Sequence, residues 1–141
     1  PAAFTHELID KSNEFAVNVP TGDLARAVKQ AGSLSSRDVD KFKIVGLHPL
    51  TALKIRAPLV EECIGHLECG VIERMAIGDH MLFIGEVVAA QVEVGTFEGG
   101  EGRGKSSAPP GRQHLLRAQG PLRCVAYLHQ GLCICYNCHM A

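Results

Sequence analysis

Residues 66–94 read HLECGVIERMAIGDHMLFIGEVVAAQVEV, and this stretch decides the fold. Its first part alternates two sets of side chains, as a β-strand does. One face would carry Leu67, Cys69, Val71 and Met75, and the other His66, Glu68, Ile72 and Arg74. Gly78-Asp79 has the composition of a turn, and a second long, largely apolar segment follows it. The stretch predicts a long antiparallel hairpin, of the kind that builds a closed or partly open barrel.

The segments before the hairpin predict two or three helices and one strand. Residues 5–13 suit a short helix with Thr5 as its N-cap, and residues 14–19 alternate as a strand that ends at Pro20. Helical spacing recurs over residues 24–31, and Asp38 would cap a brief helix. Residues 50–59 look extended. We therefore expect a mainly β fold with short helices (α+β).

Length and charge restrict the classes of function. The 141 residues fit one domain with a real core, and the net charge of −1 favours neither nucleic acid nor an anionic membrane as partner. No apolar run reaches the roughly 18–20 residues of a membrane span. The first four residues, PAAF, lack the features of a signal peptide, so a cytoplasmic protein is expected.

The composition changes near residue 97. Residues 1–97 carry nine Lys+Arg and thirteen Asp+Glu, whereas residues 98–141 carry five and two, with four of the six cysteines. Residues 98–111 are rich in Gly, Ser and Pro, and residues 122–136 could form a strand, although the Cys-rich end of this segment lacks a recognisable partner. We therefore expect a domain over 1–97 and a flexible, Cys-rich tail over 98–141 that packs poorly on it.

Three motif matches in the tail lack the setting that their chemistry needs. Residues 99–106 fit the phosphate-loop formula, but Pro109-Pro110 lie where its helix should run. Residues 135–139 fit covalent haem attachment, and the neighbouring cysteines suggest zinc, without a pocket or spaced partner for either. We expect no metal site. Cys63 and Cys69, set among apolar residues, are expected to be buried reduced thiols.

Residues 35–42 read SSRDVDKF, a polar loop that ends in a cation. Hydroxyls, backbone amides and one or two cations are the groups that hold a flavin phosphate. With residues 5–20, 46–49 and 57–87, this loop resembles the flavin reductase-like family, the FMN-binding split barrels that include flavoredoxins. The resemblance runs continuously over about residues 1–94.

The resemblance implies bound FMN and a homodimer with the cofactor near the subunit interface. Electrons would pass from NAD(P)H or a protein donor to flavin, iron or a partner protein, and the cofactor would carry the chemistry without a catalytic side chain. Thr5 matches a phosphate-side hydroxyl and Lys41 a cation near the cofactor. The full candidate cofactor-binding set is Thr5, His6, Ser35, Ser36, Arg37, Asp38, Lys41 and His80.

Some positions depart from the family pattern. Ser36 replaces a usual Gly, His48 a usual Thr, and Gly65-His66 a usual Val-Asn pair. The family's first strands are expected to be missing, and the tail is either divergent or the product of a shifted reading frame. Alternatives therefore stay open: a non-catalytic FMN-binding or interaction module, or an inactive gene fragment. Arg37 and Asp38 could also only pair with each other, and His80 could only close the turn.

Overall fold

The computed structural model describes residues 4–93, 123–129 and 132–134. These residues form three α-helices, a 3-10 helix over Gly22–Leu24, and seven strands. The α-helices are α1 (Phe4–Ser12), α2 (Ala25–Ser33) and α3 (Lys41–Val45). The strands are β1 (Glu14–Val19), β2 (Pro49–Leu50), β3 (Leu59–Val60), β4 (Gly65–Ile77), β5 (His80–Val92), β6 (Arg123–His129) and β7 (Leu132–Ile134).

One antiparallel sheet of five strands, in the order β1-β4-β5-β6-β7, dominates the described residues. Its centre is the predicted hairpin, in which β4 and β5 pair from Gly65↔Val92 to Ile77↔His80. Gly78 turns the chain with φ +62°, a conformation that L side chains rarely adopt. Strands β2 and β3 form a separate small sheet. The predicted hairpin and the mainly β fold with short helices are confirmed.

Two β-bulges in the hairpin change which side chains face the core. The register shifts between Glu68 and Cys69 and again between Val71 and Glu73, where Ile72 is the extra residue. Beyond this second bulge Arg74 pairs with the buried Phe83, and Met75 pairs with Leu82. The strict alternation that placed Met75 with Cys69 and Arg74 on the other face was therefore wrong beyond Val71.

The core lies between α1 and one face of the sheet, here called the inner face. Its buried members are Ile9, Phe15, Val17, Cys69, Phe83 and Cys124. The ring of Phe15 lies over Gly85 so closely that a Cβ there would meet its Cε1 and Cζ atoms at 2.7 Å. The absence of a side chain on β5 therefore lets an aromatic ring from β1 cover the middle of the sheet.

The segment after residue 122 does belong to the sheet, and the described part of its Cys-rich end pairs with β6 through Cys133↔Leu128 and Ile134↔Tyr127. β6 pairs with β5 from Met81↔Leu128 to Glu86↔Arg123, and Cys124 lies opposite Gly85 in the core. The expectation that the tail packs poorly on the sheet was therefore wrong for residues 123–129, because the pairing of strands that are distant in sequence cannot be read from local pattern. The division into 1–97 and 98–141 stays a prediction, and the motifs at 99–106 and 135–139 lie outside the described residues.

The thiols agree with the expectation of reduced cysteines. Cys63, Cys69 and Cys124 are free, with Cys69 and Cys124 buried and Cys63 half-buried. A hydrogen bond with Cys124, followed by burial, raises the pKa of Cys69, and burial raises the pKa of Cys63. These thiols stay protonated and behave as small apolar groups.

The helix ends differ from the predicted ones. Thr5 lies inside α1, so it is not an N-cap. Asp40 rather than Asp38 caps α3, by accepting a hydrogen bond from the backbone N–H of Lys43 at 3.4 Å. The extended segment expected over residues 50–59 survives only at its two ends, in β2 and β3.

Candidate functional site

The first turn of α1 and the polar loop come together on the protein surface. Arg37 forms an ion pair with Glu7, and its guanidinium carbon lies 4.9 Å from the centre of the Phe4 ring. The side chains of Arg37 and Glu7 are 47% and 35% exposed, so the pair is open to solvent. Residues 4–7 and 35–38 are called the α1–loop cluster below, and they bring Thr5 and Arg37 into one neighbourhood.

The loop itself is a local turn with its polar side chains exposed. The hydroxyl oxygen of Ser35 accepts a hydrogen bond from the backbone N–H of Arg37 at 3.3 Å. The Ser35 carbonyl accepts another from the N–H of Asp38 at 3.3 Å. Ser36 and Asp38 are exposed beside them. Arg37 therefore pairs with Glu7 in this structure, and not only with Asp38 as one alternative had it.

His6 faces the sheet from the same turn of α1. Its ring centre lies 5.6 Å from that of Phe83, and its Nε2 lies 3.2 Å from a carboxylate oxygen of Asp10. Arg74 donates from Nε to the other Asp10 oxygen at 2.9 Å. These contacts fix the position of α1 on the inner face. Sequence reasoning missed Arg74, because its inward orientation depends on the bulge at Ile72.

Lys41 opens α3, four residues after Arg37. Its side chain is half-buried, and this burial lowers its pKa. Desolvation of an ammonium favours a nearby anion, which would replace lost hydration. Lys43, two residues on, is 86% exposed and lies 3.5 Å from Asp40. The two lysines of this short helix therefore differ in their surroundings.

His80 lies apart from the α1–loop cluster. It begins β5 beside Asp79, whose carboxylate faces its Nδ1. Successive residues of a strand point to opposite faces, so His80, Leu82 and Ile84 share the face opposite the buried Phe83. The structure therefore brings Thr5, His6 and Arg37 together along α1, and places His80 on the other face, the outer face.

Part of the outer face is covered by residues 51–58, which Glu68 holds in place. The Glu68 carboxylate is fully buried and accepts hydrogen bonds from the N–H groups of Leu53 at 2.9 Å and Lys54 at 2.6 Å. The side-chain amide of Gln91 donates a third at 3.2 Å. A buried carboxylate without such donors would be costly. Glu68, on the strand face opposite Cys69, therefore anchors this loop to the sheet.

A second polar contact fixes the end of the same segment. The side-chain oxygen of Asn18 accepts a hydrogen bond from the N–H of Val60 at 2.9 Å and lies 2.9 Å from Nδ1 of the buried His66. An amide oxygen can only accept, so His66 donates from Nδ1. His66, which departs from the family pattern, thus has a defined structural place beside β1.

Several apolar side chains are exposed on the remaining part of the outer face, beside the exposed Glu73. Met75 and Ile77 are 43% and 54% exposed, and they pair across the hairpin with Leu82 and His80. Ile72, at the bulge, is 50% exposed. Exposed apolar side chains that lie near one another on a sheet face are typical of a surface that another protein element covers. We call Ile72, Met75, Ile77 and Leu82 the hairpin patch.

The described residues lack the features of a membrane-spanning helix and of a metal site. None of the helices over residues 4–45 has the length and apolar character needed to cross a bilayer. Among the same described parts of the chain, no group of three or more His, Cys, Asp or Glu side chains is placed to hold a metal ion.

Comparison with known proteins identifies the family. The model of the flavin reductase like domain matches residues 1–104, so this chain belongs to that family. Flavoredoxin of Desulfovibrio vulgaris (Miyazaki F) is similar in structure, with a TM-score of 0.61 and 29% identity over 66% of this chain and 49% of its own. The fold is that of the split-barrel flavin reductases.

Two further solved structures carry flavin-related names. An FMN-binding protein from Thermus thermophilus has 31% identity and a TM-score of 0.58, over 64% of this chain and 48% of its own. The NADH:FAD oxidoreductase of Streptomyces globisporus C-1027 has 28% identity and a TM-score of 0.58, over 64% and 52%. The chain spans about half the length of the curated relatives it matches.

Proposed function

We propose that this chain is the FMN-binding part of a cytoplasmic flavin reductase-like oxidoreductase. Electrons would pass from NAD(P)H or a protein donor, through FMN, to free flavin, iron or a partner protein. The observation that carries the proposal is the α1–loop cluster in a chain of this family, where residues about thirty positions apart converge through Arg37 and Glu7. The names of two similar structures, an FMN-binding protein and an NADH:FAD oxidoreductase, support a flavin and a nicotinamide donor.

The groups of the cluster fit a phosphate. Thr5, Ser35 and Ser36 offer hydroxyls, and Arg37 offers a planar guanidinium that suits phosphate geometry. Asp38 would keep the loop in its turn through its N–H bond to Ser35. Lys41, whose partial burial favours a counter-anion, would supply a second cation to the phosphate or the edge of the ring.

The chain's contribution is binding and electrostatics. A bound flavin supplies the hydride-accepting N5 atom and releases electrons singly or in pairs. Lys41 and Arg37 would stabilise the negative charge of the reduced ring and of the phosphate. His6, fixed between Asp10 and Phe83, would present one edge of its imidazole to the cofactor. No side chain needs to act as a strong acid or base in this scheme.

We also propose that the active form is a homodimer that covers the hairpin patch. The exposed side chains of Ile72, Met75 and Ile77 support a protein contact on this face. His80 shares the face with them, so its place in the cofactor-binding set would depend on the second subunit. A chain that stays monomeric while binding FMN through His80 would contradict this arrangement.

Flavin binding and reduction test the proposal directly. The purified protein should take up FMN with a shifted absorption spectrum, and NADH or NADPH should bleach the bound flavin under anaerobic conditions. A charge-assisted contact contributes roughly 1.5–3 kcal/mol where partly buried, so Lys41→Ala should weaken FMN binding about ten- to a hundred-fold. Lys43→Ala is the matched control, because Lys43 is a highly exposed lysine on the same helix.

The outcomes separate the alternatives. If the Lys41→Ala and Lys43→Ala variants bind FMN equally well, Lys41 does not contact the cofactor. Flavin that binds but is not reduced by NADH, NADPH or dithionite-reduced donor proteins would indicate a non-catalytic FMN module. Failure to bind FMN, in a folded protein that includes the flanking sequence of the full-length relatives, would refute the proposed function.

A further inference from the structure

The guanidinium of Arg37 is only partly used by its described partners. Glu7 accepts from one terminal nitrogen, Nη2, and the ring of Phe4 lies under the guanidinium face. A guanidinium carries five N–H donors. With the side chain 47% exposed, the donors on its remaining edge point toward solvent.

Glu7 has two opposing effects on an anion at this place. It holds the guanidinium over Phe4, so the donors are positioned before any ligand arrives. Its own negative charge also repels a phosphate that approaches the same arginine. An ion pair this exposed contributes little stability, so a phosphate that offers two acceptor oxygens can displace it.

We propose that Glu7 is a specificity-determining gate on Arg37, which competes with the ligand's phosphate for the guanidinium. Glu7 thereby lowers the affinity of the α1–loop cluster for phosphorylated ligands and leaves unphosphorylated ones unaffected. This inference depends on the proposed function in one respect only, namely that the phosphorylated ligand is a flavin. Its recognition chemistry is that of a phosphate monoester, and inorganic phosphate is the simplest probe.

Glu7→Gln tests the gate because it removes the charge and keeps an oxygen that accepts from Arg37. FMN and inorganic phosphate should each bind about two- to five-fold more tightly to Glu7→Gln than to the unaltered protein, since a surface charge pair of this kind contributes on that order. Riboflavin, which lacks the phosphate, should bind both proteins equally. Asp23→Asn is the charge-matched control, because Asp23 is exposed in the 3-10 helix, outside both the α1–loop cluster and the hairpin patch.

Two readouts keep the gate separable from the proposed function. Flavin titrations follow absorbance or fluorescence, and the Nε resonance of Arg37 in ¹⁵N-labelled protein, assigned with Arg37→Lys, follows phosphate. If phosphate shifts that resonance at lower concentration in Glu7→Gln but no flavin binds, the gate stands and the flavin proposal fails. If phosphate never shifts it, or if riboflavin gains as much affinity as FMN, the gate is overturned.

A double variant completes the test. In an Arg37→Gln background the guanidinium and its resonance are gone, so phosphate is followed by the backbone amide resonance of residue 37, and Glu7→Gln should change phosphate affinity less than two-fold. An undiminished gain in that background would show that Glu7 acts through general charge rather than through Arg37. Far-UV circular dichroism of each variant confirms that the helices and sheet are retained.

Discussion

Gly85→Ala should destabilise this protein, although the same substitution in a strand is usually favourable. The new Cβ would meet two ring atoms of Phe15 at 2.7 Å and the Cβ of Cys69 at 3.0 Å. Real Cβ atoms do not approach this closely, and neither neighbour can yield easily. Phe15 is 3% exposed and Cys69 is fully buried. Overpacking of a filled core costs roughly 1–3 kcal/mol.

Urea unfolding followed by far-UV circular dichroism measures this cost. With a slope of about 1.5 kcal/mol/M, a loss of 1–3 kcal/mol lowers the midpoint by roughly 0.7–2 M. Gly70→Ala is the matched control, since a Cβ there meets only Cγ1 of Val88 at 4.0 Å. That variant should be neutral or slightly more stable, because alanine restricts the unfolded chain.

A smaller side chain at position 15 should rescue the variant. In a Phe15→Leu background the ring atoms are gone, so Gly85→Ala should cost less than about 1 kcal/mol and the two changes should be non-additive. If Gly85→Ala and Gly70→Ala have the same midpoint, or if the cost persists with Leu at position 15, the ring does not occupy the space above Gly85 and the core is packed differently.

Three further outcomes are expected. Glu68→Gln replaces an acceptor with a donor beneath the covering loop, so it should cost about 1–3 kcal/mol and speed hydrogen exchange over residues 51–58; unchanged exchange would count against the anchor. The His48–Glu62 pair raises the pKa of His48 above 6.5 and lowers that of Glu62 below 4.5. Its stabilisation is therefore lost as pH rises through the raised His48 pKa and as pH falls through the lowered Glu62 pKa. If His48→Ala leaves the pH dependence of the melting temperature unaltered, the His48–Glu62 pair does not provide this stabilisation. Deleting residues 123–141 removes β6 and should let a thiol reagent reach Cys69, which the intact protein should protect.

The sequence predicted the elements whose signal is local. The turn at Gly78 and the apolar alternation on either side were sufficient for the hairpin, and β1 matched its predicted bounds. The side chains beyond the bulge could not be assigned to the correct face, because Ile72 has no feature that marks it as an extra residue. The partner of β6 was equally hidden, since pairing with β5 joins residues about forty positions apart.

In the candidate site, too, the features with a local signal were predicted and those that depend on the tertiary structure were not. The polar loop was visible as hydroxyls beside two cations, but the ion pair of Arg37 with Glu7 depends on how α1 lies on the sheet. Alternation placed Glu68 on the strand face opposite Cys69, and only the folded loop makes it a buried acceptor. His80 was a candidate cofactor contact because of its place at the hairpin turn. In the structure it lies on the outer face of the sheet, whereas α1 packs on the inner face.

The bulge at Ile72 determines which face of the sheet each later side chain of β4 occupies. With the extra residue present, Arg74 turns inward to Asp10, and Met75 and Ile77 turn outward. A chain one residue shorter at this point would exchange the two sets, hiding the apolar side chains and sending the arginine to the surface. Deletion of one codon would thus convert an exposed apolar surface into a charged one, so the character of this face depends on the length of β4 as well as on the residues that it carries.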